Sequence, residues 1–104
     1  MIKKIFIAGP KSGKTPQEVI KNIEVANKYA EKLVKQGNYV YVPHNIKGYI
    51  KDPDEQKRYF IELSKSIIKN WATHIYMLPN WEKSAGAVEE YNYAKKLKLK
   101  ILKE

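Results

Sequence analysis

The sequence predicts an α/β domain: a three-layer, flavodoxin- or Rossmann-like parallel sheet of four to five strands with helices on both faces. Three observations lead there. Short apolar runs of strand length recur at residues 2–8, 39–42, 74–78 and 99–102. Between them lie longer segments whose apolar residues repeat at helical spacing. Each junction carries a cap, a proline or a glycine, so the order reads strand–helix–strand–helix–strand–helix–strand. That alternation implies parallel strands joined by right-handed crossovers.

The first strand, residues 2–8, is rich in β-branched residues and stops at Gly9-Pro10. Thr15-Pro16-Gln17-Glu18 then reads as a capping box with proline at the first helical position. Val19, Ile20, Ile23, Ala26, Ala30, Leu33 and Val34 follow at helical spacing, and Gly37 ends the helix. Residues 39–42 form the second strand, closed by Pro43, and residues 44–51 read as an irregular loop. Asp52-Pro53-Asp54-Glu55 is a second capping box, ahead of the stripe Phe60, Leu63, Ile67, Ile68 and Trp71. Residues 74–78 are the third strand, 84–98 the third helix and 99–102 the fourth strand. No repeat, linker or low-complexity tract divides the chain, so residues 1–104 read as a single domain.

A domain of 104 residues buries only about two-thirds of its unfolded surface. Enzymes this small often complete their sites with a neighbouring subunit, so a homodimer or higher homo-oligomer is expected. There is no cysteine, hence no disulfide framework and no thiolate metal site. No apolar run approaches the roughly 20 residues of a membrane span, and nothing at the start reads as a signal peptide. A cytoplasmic protein without a membrane partner is expected. The formal charge is +9, which suits anionic partners. However, Arg58 is the only arginine among 20 basic residues, and proteins that read bases or clamp phosphates lean on arginine forks. Nucleic acid is therefore not the expected partner; scattered lysines on helix surfaces suffice to explain the charge.

In open parallel sheets, ligands bind beyond the carboxyl ends of the strands. Three loops meet there: residues 9–14, the segment from Pro43 onward, and residues 79–84. The last of these runs Pro79-Asn80-Trp81-Glu82-Lys83-Ser84-Ala85-Gly86-Ala87-Val88-Glu89-Glu90. Ser84 is a natural N-cap, and the free N–H groups behind it make an anion site. Gly86 allows close approach of a ligand. Glu90 shares its side of the helix with Ala87, Tyr91 and Ala94, where a carboxylate is costly unless paired or used. A phosphate cradle beside a carboxylate suggests a sugar phosphate or nucleotide. The plainer readings are Glu90 paired with Lys83 or Lys95 at a partly exposed position, and Ser84 as a cap alone. His44 and His74 have no partner at metal-ligand spacing, so no metal is expected, and no cofactor is implied. His44 and Trp81 are placed at the pocket, Trp81 either covering the site or facing a partner subunit. Tyr91 and Tyr93 read as core or interface.

Ala8-Gly9-Pro10-Lys11-Ser12-Gly13-Lys14-Thr15 matches a relaxed P-loop, with alanine in place of the first glycine. Pro16 makes Thr15 an N-cap, whereas a P-loop lysine lies at the helix start. The third strand supplies no aspartate for magnesium. A phosphotransferase is thus an alternative with little support. A softer expectation remains, that Gly9, Pro10, Lys11 and Ser12 contact a ligand phosphate or ribose, against an exposed turn as the simpler reading.

Taken together, Ile5-Phe6-Ile7-Ala8-Gly9-Pro10 and Trp81-Glu82-Lys83-Ser84-Ala85-Gly86-Ala87 ahead of Glu90 resemble the nucleoside 2-deoxyribosyltransferase superfamily. The resemblance is nearest to its small uncharacterised bacterial and phage members, and the superfamily includes deoxynucleoside 5'-monophosphate N-glycosidases. It covers nearly the whole chain and implies the same α/β fold. It also implies that Glu90 is a nucleophile attacking C1' of a deoxyribose, that Ser84 binds a 5'-phosphate, and that Gly9 and Pro10 wrap the sugar. Three positions depart from the family pattern. Phe6 stands where a tyrosine often steadies the nucleophile. Counting back from the third strand, Ser66 falls where an aspartate acts on the leaving base. His74 replaces another common aspartate. Loss of a general acid costs about 10²–10⁴ in rate; Glu62, one turn before Ser66, is the available substitute. The expected function is binding of a nucleotide or nucleoside phosphate with cleavage or transfer of its N-glycosidic bond. Alternatives are a non-catalytic nucleotide-sequestering protein and an interaction protein with a vestigial pocket.

Overall fold

Alternation along the first strand sets the architecture. In the computed structural model, which describes residues 2–104, Ile5 and Ile7 point to one face of a sheet while Phe6 and Ala8 point to the other. All four are fully buried. A strand buried on both faces needs helices on both sides, and the chain supplies them. Among the described residues, β1 (Lys4–Ala8), β2 (Tyr39–Tyr41), β3 (His74–Met77) and β4 (Lys100–Lys103) alternate with α1 (Pro16–Lys35), α2 (Pro53–Asn70) and α3 (Ala85–Lys96). The strands form one all-parallel sheet in the order β2-β1-β3-β4. Ala26 and Leu33 of α1 cover Ile5, Ile7 and Leu78 on one face. Ile68 of α2 and Ala94 of α3 cover Phe6, Ala8, Ile75 and Met77 on the other.

The expected caps hold α1 as read. Thr15 Oγ1 accepts from Glu18 N–H at 3.2 Å, and the Glu18 side chain reaches back to the Thr15 backbone. Gly37 sits at φ +91° just beyond the helix, a conformation that glycine adopts without a Cβ penalty. At α2 the second capping box is not formed as expected. Asp52 accepts from Asp54 N–H at 3.2 Å, one residue earlier than a capping box requires.

Several boundaries shift by one or two residues. β1 begins at Lys4, whose N–H donates to Thr73 Oγ1 at 2.9 Å. β2 stops at Tyr41, because Val42 leads into a 3₁₀ turn at Pro43–Asn45 and proline has no N–H for the ladder. α3 stops at Lys96, with Lys98 at φ 63°. A second 3₁₀ turn, Trp81–Lys83, stands between β3 and Ser84.

The strand order reverses between β1 and β3, so their carboxyl ends flank the crevice where ligands of such sheets bind. Gly9 and Leu78 meet there. A Cβ on Gly9 would lie 2.6 Å from Leu78 Cβ. The glycine of the first loop is thus explained by close approach of the two chain segments.

Candidate functional site

Helix α3 carries Glu90 back over the sheet edge, and α2 lies beside it. Lys65 of α2 pairs with Glu89 at 2.9 Å. One residue along each helix, the Ser64 hydroxyl donates to the Glu90 carboxylate. Ser64 is buried. The Lys11 ammonium, from the loop after β1, is close enough for its charge to act on Glu90. Tyr41, at the end of β2, feels the same carboxylate. Burial pushes the Glu90 carboxyl up to about 7, with the Glu89 charge adding to the rise. The Ser64 hydrogen bond and the Lys11 charge oppose that shift. The outcome is a carboxyl poised near neutrality, the condition that general acid–base and nucleophilic chemistry exploit.

Lys11 does not stand free in its loop. Its ammonium donates to Pro43 O at 3.3 Å and Ile46 O at 3.4 Å, and lies 4.9 Å from the Phe60 ring centroid. Burial lowers its pKa while Glu90 raises it. Asn22 Nδ2 donates to Lys11 O and Ser12 O at 3.3 and 3.2 Å, fixing the loop from α1. Ser12 itself is exposed. Lys11 therefore joins three elements, at a range where its charge still acts on Glu90.

Phe6 is core. It stacks on Tyr41 at 5.6 Å and 26°, because Phe6 and Tyr41 are register partners across β1 and β2. Phe6 carries no hydroxyl; the ring stacked on it, Tyr41, carries one, and the Glu90 charge adds to the burial that raises its pKa. Sequence reasoning missed Tyr41, since only cross-strand register brings it to Glu90. It also placed the α2 residue wrongly in phase. Ser66 is exposed and accepts from Asn70 Nδ2 at 3.2 Å. Ser64, two residues earlier and so about 200° around the helix, faces the site. Glu62 is exposed as well. His74 lies at the amino end of β3, across the sheet from the loops that carry Lys11 and Ser84. There its Nδ1 meets Thr73 Oγ1 at 2.7 Å.

His44 is 3 % exposed. Its Nε2 is 3.1 Å from Pro10 O. A carbonyl only accepts, so Nε2 carries the proton, and Nδ1 is left buried without a partner. Burial holds His44 below the usual histidine range, opposed by bonds to the Pro10 and Gly9 backbone. Its place is beneath the loops, binding the turn after β1 to the turn after β2, and Pro10 contributes its carbonyl to that link.

Ser84 caps α3, its Oγ accepting from Ala87 N–H at 3.2 Å. As a hydroxyl it retains one donor for an anion. A Cβ at Gly86 would meet nothing within 4 Å, so the approach to this helix end is open. Trp81 stacks on Tyr91 at 4.6 Å and packs against the core. It borders an open depression of about 300 Å³ with Leu78, Asn80, Lys103 and Glu104, separate from the Glu90 carboxyl.

The P-loop-like turn is already occupied. Lys14 N–H and Thr15 N–H both donate to the Glu18 carboxylate, so a side chain takes the backbone donors that a phosphate cradle would use. Gly13 serves the same fold-back: a Cβ there would lie 2.6 Å from Glu18 Cβ.

The model of a family described as "Domain of unknown function (DUF4406)" matches residues 3–103, and the chain belongs to that family. No curated protein matches the sequence.

Proposed function

We propose that this member of the DUF4406 family binds a nucleotide or nucleoside phosphate and that Glu90 acts on its N-glycosidic bond. The observation that carries this reading is the neutral-poised Glu90 carboxyl, set between Ser64, Lys11 and Tyr41 at the carboxyl edge of the sheet. The open, Ser84-capped start of the same helix supports it as a place for a phosphate.

The chemistry follows from charge. Departure of a base leaves oxocarbenium character at C1', which an ionised carboxylate stabilises or captures. Capture forms a Glu90 Oε–C1' bond and breaks the C1'–N bond. The bonding pair leaves with the base, which takes a proton from solvent. Attack of water at C1' then breaks the Glu90 Oε–C1' bond, its proton passing to solvent, which releases the sugar and restores the carboxylate. Ser64 holds one carboxylate oxygen by its hydrogen bond, and the Lys11 charge favours the ionised form. Because the ionised form reacts, turnover is expected to rise with pH through about 7.

A second reading is favoured by one specific observation. The α2 side chain at Glu90 is a serine hydroxyl, which cannot act as a general acid near neutrality. On that reading the same pocket holds a nucleotide without cleaving it. Incubation with deoxynucleosides and their 5'-monophosphates, with chromatography for free base and thermal shift for binding, separates the two. Base release that is lost in Glu90→Gln is the expected result. Stabilisation by a nucleotide without release would retire the catalytic reading and leave the binding one.

A further inference from the structure

Three aromatic rings stand together beside the Glu90 site, and the fold gives them no core to fill. Tyr49 is 70 % exposed and Tyr59 39 %. Tyr49 meets Tyr59 edge-on at 6.1 Å and 84°, and Phe60 at 6.4 Å and 36°. Tyr59 and Phe60 meet at 5.5 Å and 65°. An exposed aromatic patch of this kind marks a binding surface more often than a structural need.

The segment is built to hold Tyr49 there. Tyr49 N–H and Ile50 N–H both donate to Gln56 Oε1, at 3.0 and 2.8 Å. Gly48 leaves the room that the Gln56 side chain occupies, since a Cβ at Gly48 would run into it. A stretch without regular structure is thereby clasped to the first turn of α2.

The cluster also points at the reacting group. Tyr41 feels the phenols of both Tyr49 and Tyr59 as well as the Glu90 carboxylate. The Lys11 ammonium, whose charge acts on Glu90, lies over Phe60. Phe60 thus meets the ammonium whose charge acts on Glu90, while Tyr49 and Tyr59 stand in solvent. Edge-to-face pairing takes the edge of one ring and one face of the other, so each pair leaves ring faces free to stack.

We infer that Tyr49 and Tyr59 form the wall against which the planar heteroaromatic part of the ligand stacks while its sugar carbon faces Glu90. The ligand class is a nucleobase carried on a sugar or sugar phosphate, recognised by stacking more than by hydrogen bonds. Such a wall tolerates several bases, because every base has a π-face. The inference rests on Glu90 as the centre of the site, and it deepens the reading of the ligand as a nucleotide.

The test is calorimetric titration of the wild type, Tyr49→Ala and Tyr49→Phe with deoxynucleoside 5'-monophosphates and with deoxyribose 5-phosphate. Circular dichroism checks that the variants fold. Tyr49→Ala is expected to weaken each monophosphate by roughly tenfold or more. It should leave deoxyribose 5-phosphate unchanged, and Tyr49→Phe should bind like the wild type. Equal nucleotide binding by Tyr49→Ala and wild type overturns the wall. So does an equal loss for the sugar phosphate, which would mean general disruption, and so does a wild type that binds no monophosphate. Tyr49-dependent nucleotide binding with no base release would instead uphold the wall and remove only the glycosidic chemistry.

Discussion

Glu90 has two opposed demands on it, and their balance is measurable without any ligand. Burial favours the neutral acid, while Ser64 and Lys11 favour the carboxylate. The net effect raises the carboxyl from 4.5 to about 7. A group whose pKa is higher in the folded state holds more protons there than in the unfolded chain. Its stabilising contribution is complete below pH 4.5 and is lost as pH rises through 7. The loss amounts to about 3 kcal/mol at most, at 1.36 kcal/mol per pKa unit. Glu90→Gln removes the titration and keeps the shape. The variant should match the wild type in denaturant stability at pH 4.5 and exceed it at pH 8. Parallel stability curves over that range would mean that Glu90 is not buried as described. Ser64→Ala removes the hydrogen bond that lowers the carboxyl, so a carbon-13 titration of Glu90 should then show a midpoint above that of the wild type. An unchanged midpoint would remove Ser64 from the site.

At the scale of elements, the site depends on how closely the ends of β1 and β3 approach. Gly9→Ala places a methyl 2.6 Å from Leu78 Cβ, and Leu78 is itself buried. Overpacking of that kind typically costs about 1–3 kcal/mol, and the strand ends must separate to relieve it. Urea denaturation should show a lowered midpoint with an unchanged slope; an unaltered midpoint would mean the contact yields freely. The same scale explains what the sequence disclosed and what it withheld. The Thr15, Pro16 and Glu18 cap and the Gly37 stop were legible because their bonds lie within a few residues of one another. So was the alternation of strands and helices, since each period is local. Glu90 was legible because a carboxylate among Ala87 and Ala94 breaks the pattern of its own helix. Tyr41 was not, because its position at Glu90 comes from the register of β2 on β1. Ser64 was missed because Ser66 came from counting back along the chain from the third strand, whereas the helical spacing of Phe60, Ile67, Ile68 and Trp71 already puts Ser64 on the packed face. The Glu18 bond to Thr15 N–H was legible in the capping box, but the second bond, from Lys14 N–H, was hidden, since a phosphate-binding loop and a self-capped one share the same glycines and lysine.

At the scale of the whole molecule, no helix among the described residues is long and apolar enough to cross a membrane, and the chain carries a net charge of +9. That field acts on every ligand before any contact forms. On the proposed reading, a monophosphate gains from it and from the α3 start at Ser84, while the matching nucleoside gains only from the pocket. Binding to the folded chain alone stabilises it by about 2.7 kcal/mol at a hundredfold excess over the dissociation constant. For a domain of about this size each kcal/mol raises the melting temperature by roughly 4–8 °C. Deoxynucleoside 5'-monophosphates should therefore raise the melting temperature by about 10 °C or more under those conditions, and nucleosides at the same concentration by less. Salt separates the two contributions. The Debye length falls from about 10 Å at 0.1 M to about 3 Å at 1 M, so the long-range share of the difference should shrink as salt rises. A residual advantage at 1 M belongs to the helix start, and Ser84→Ala should abolish it while costing about 1 kcal/mol of stability through the lost cap. If nucleoside and monophosphate stabilise equally at low salt, neither the charge of the chain nor the start of α3 takes part in recognition.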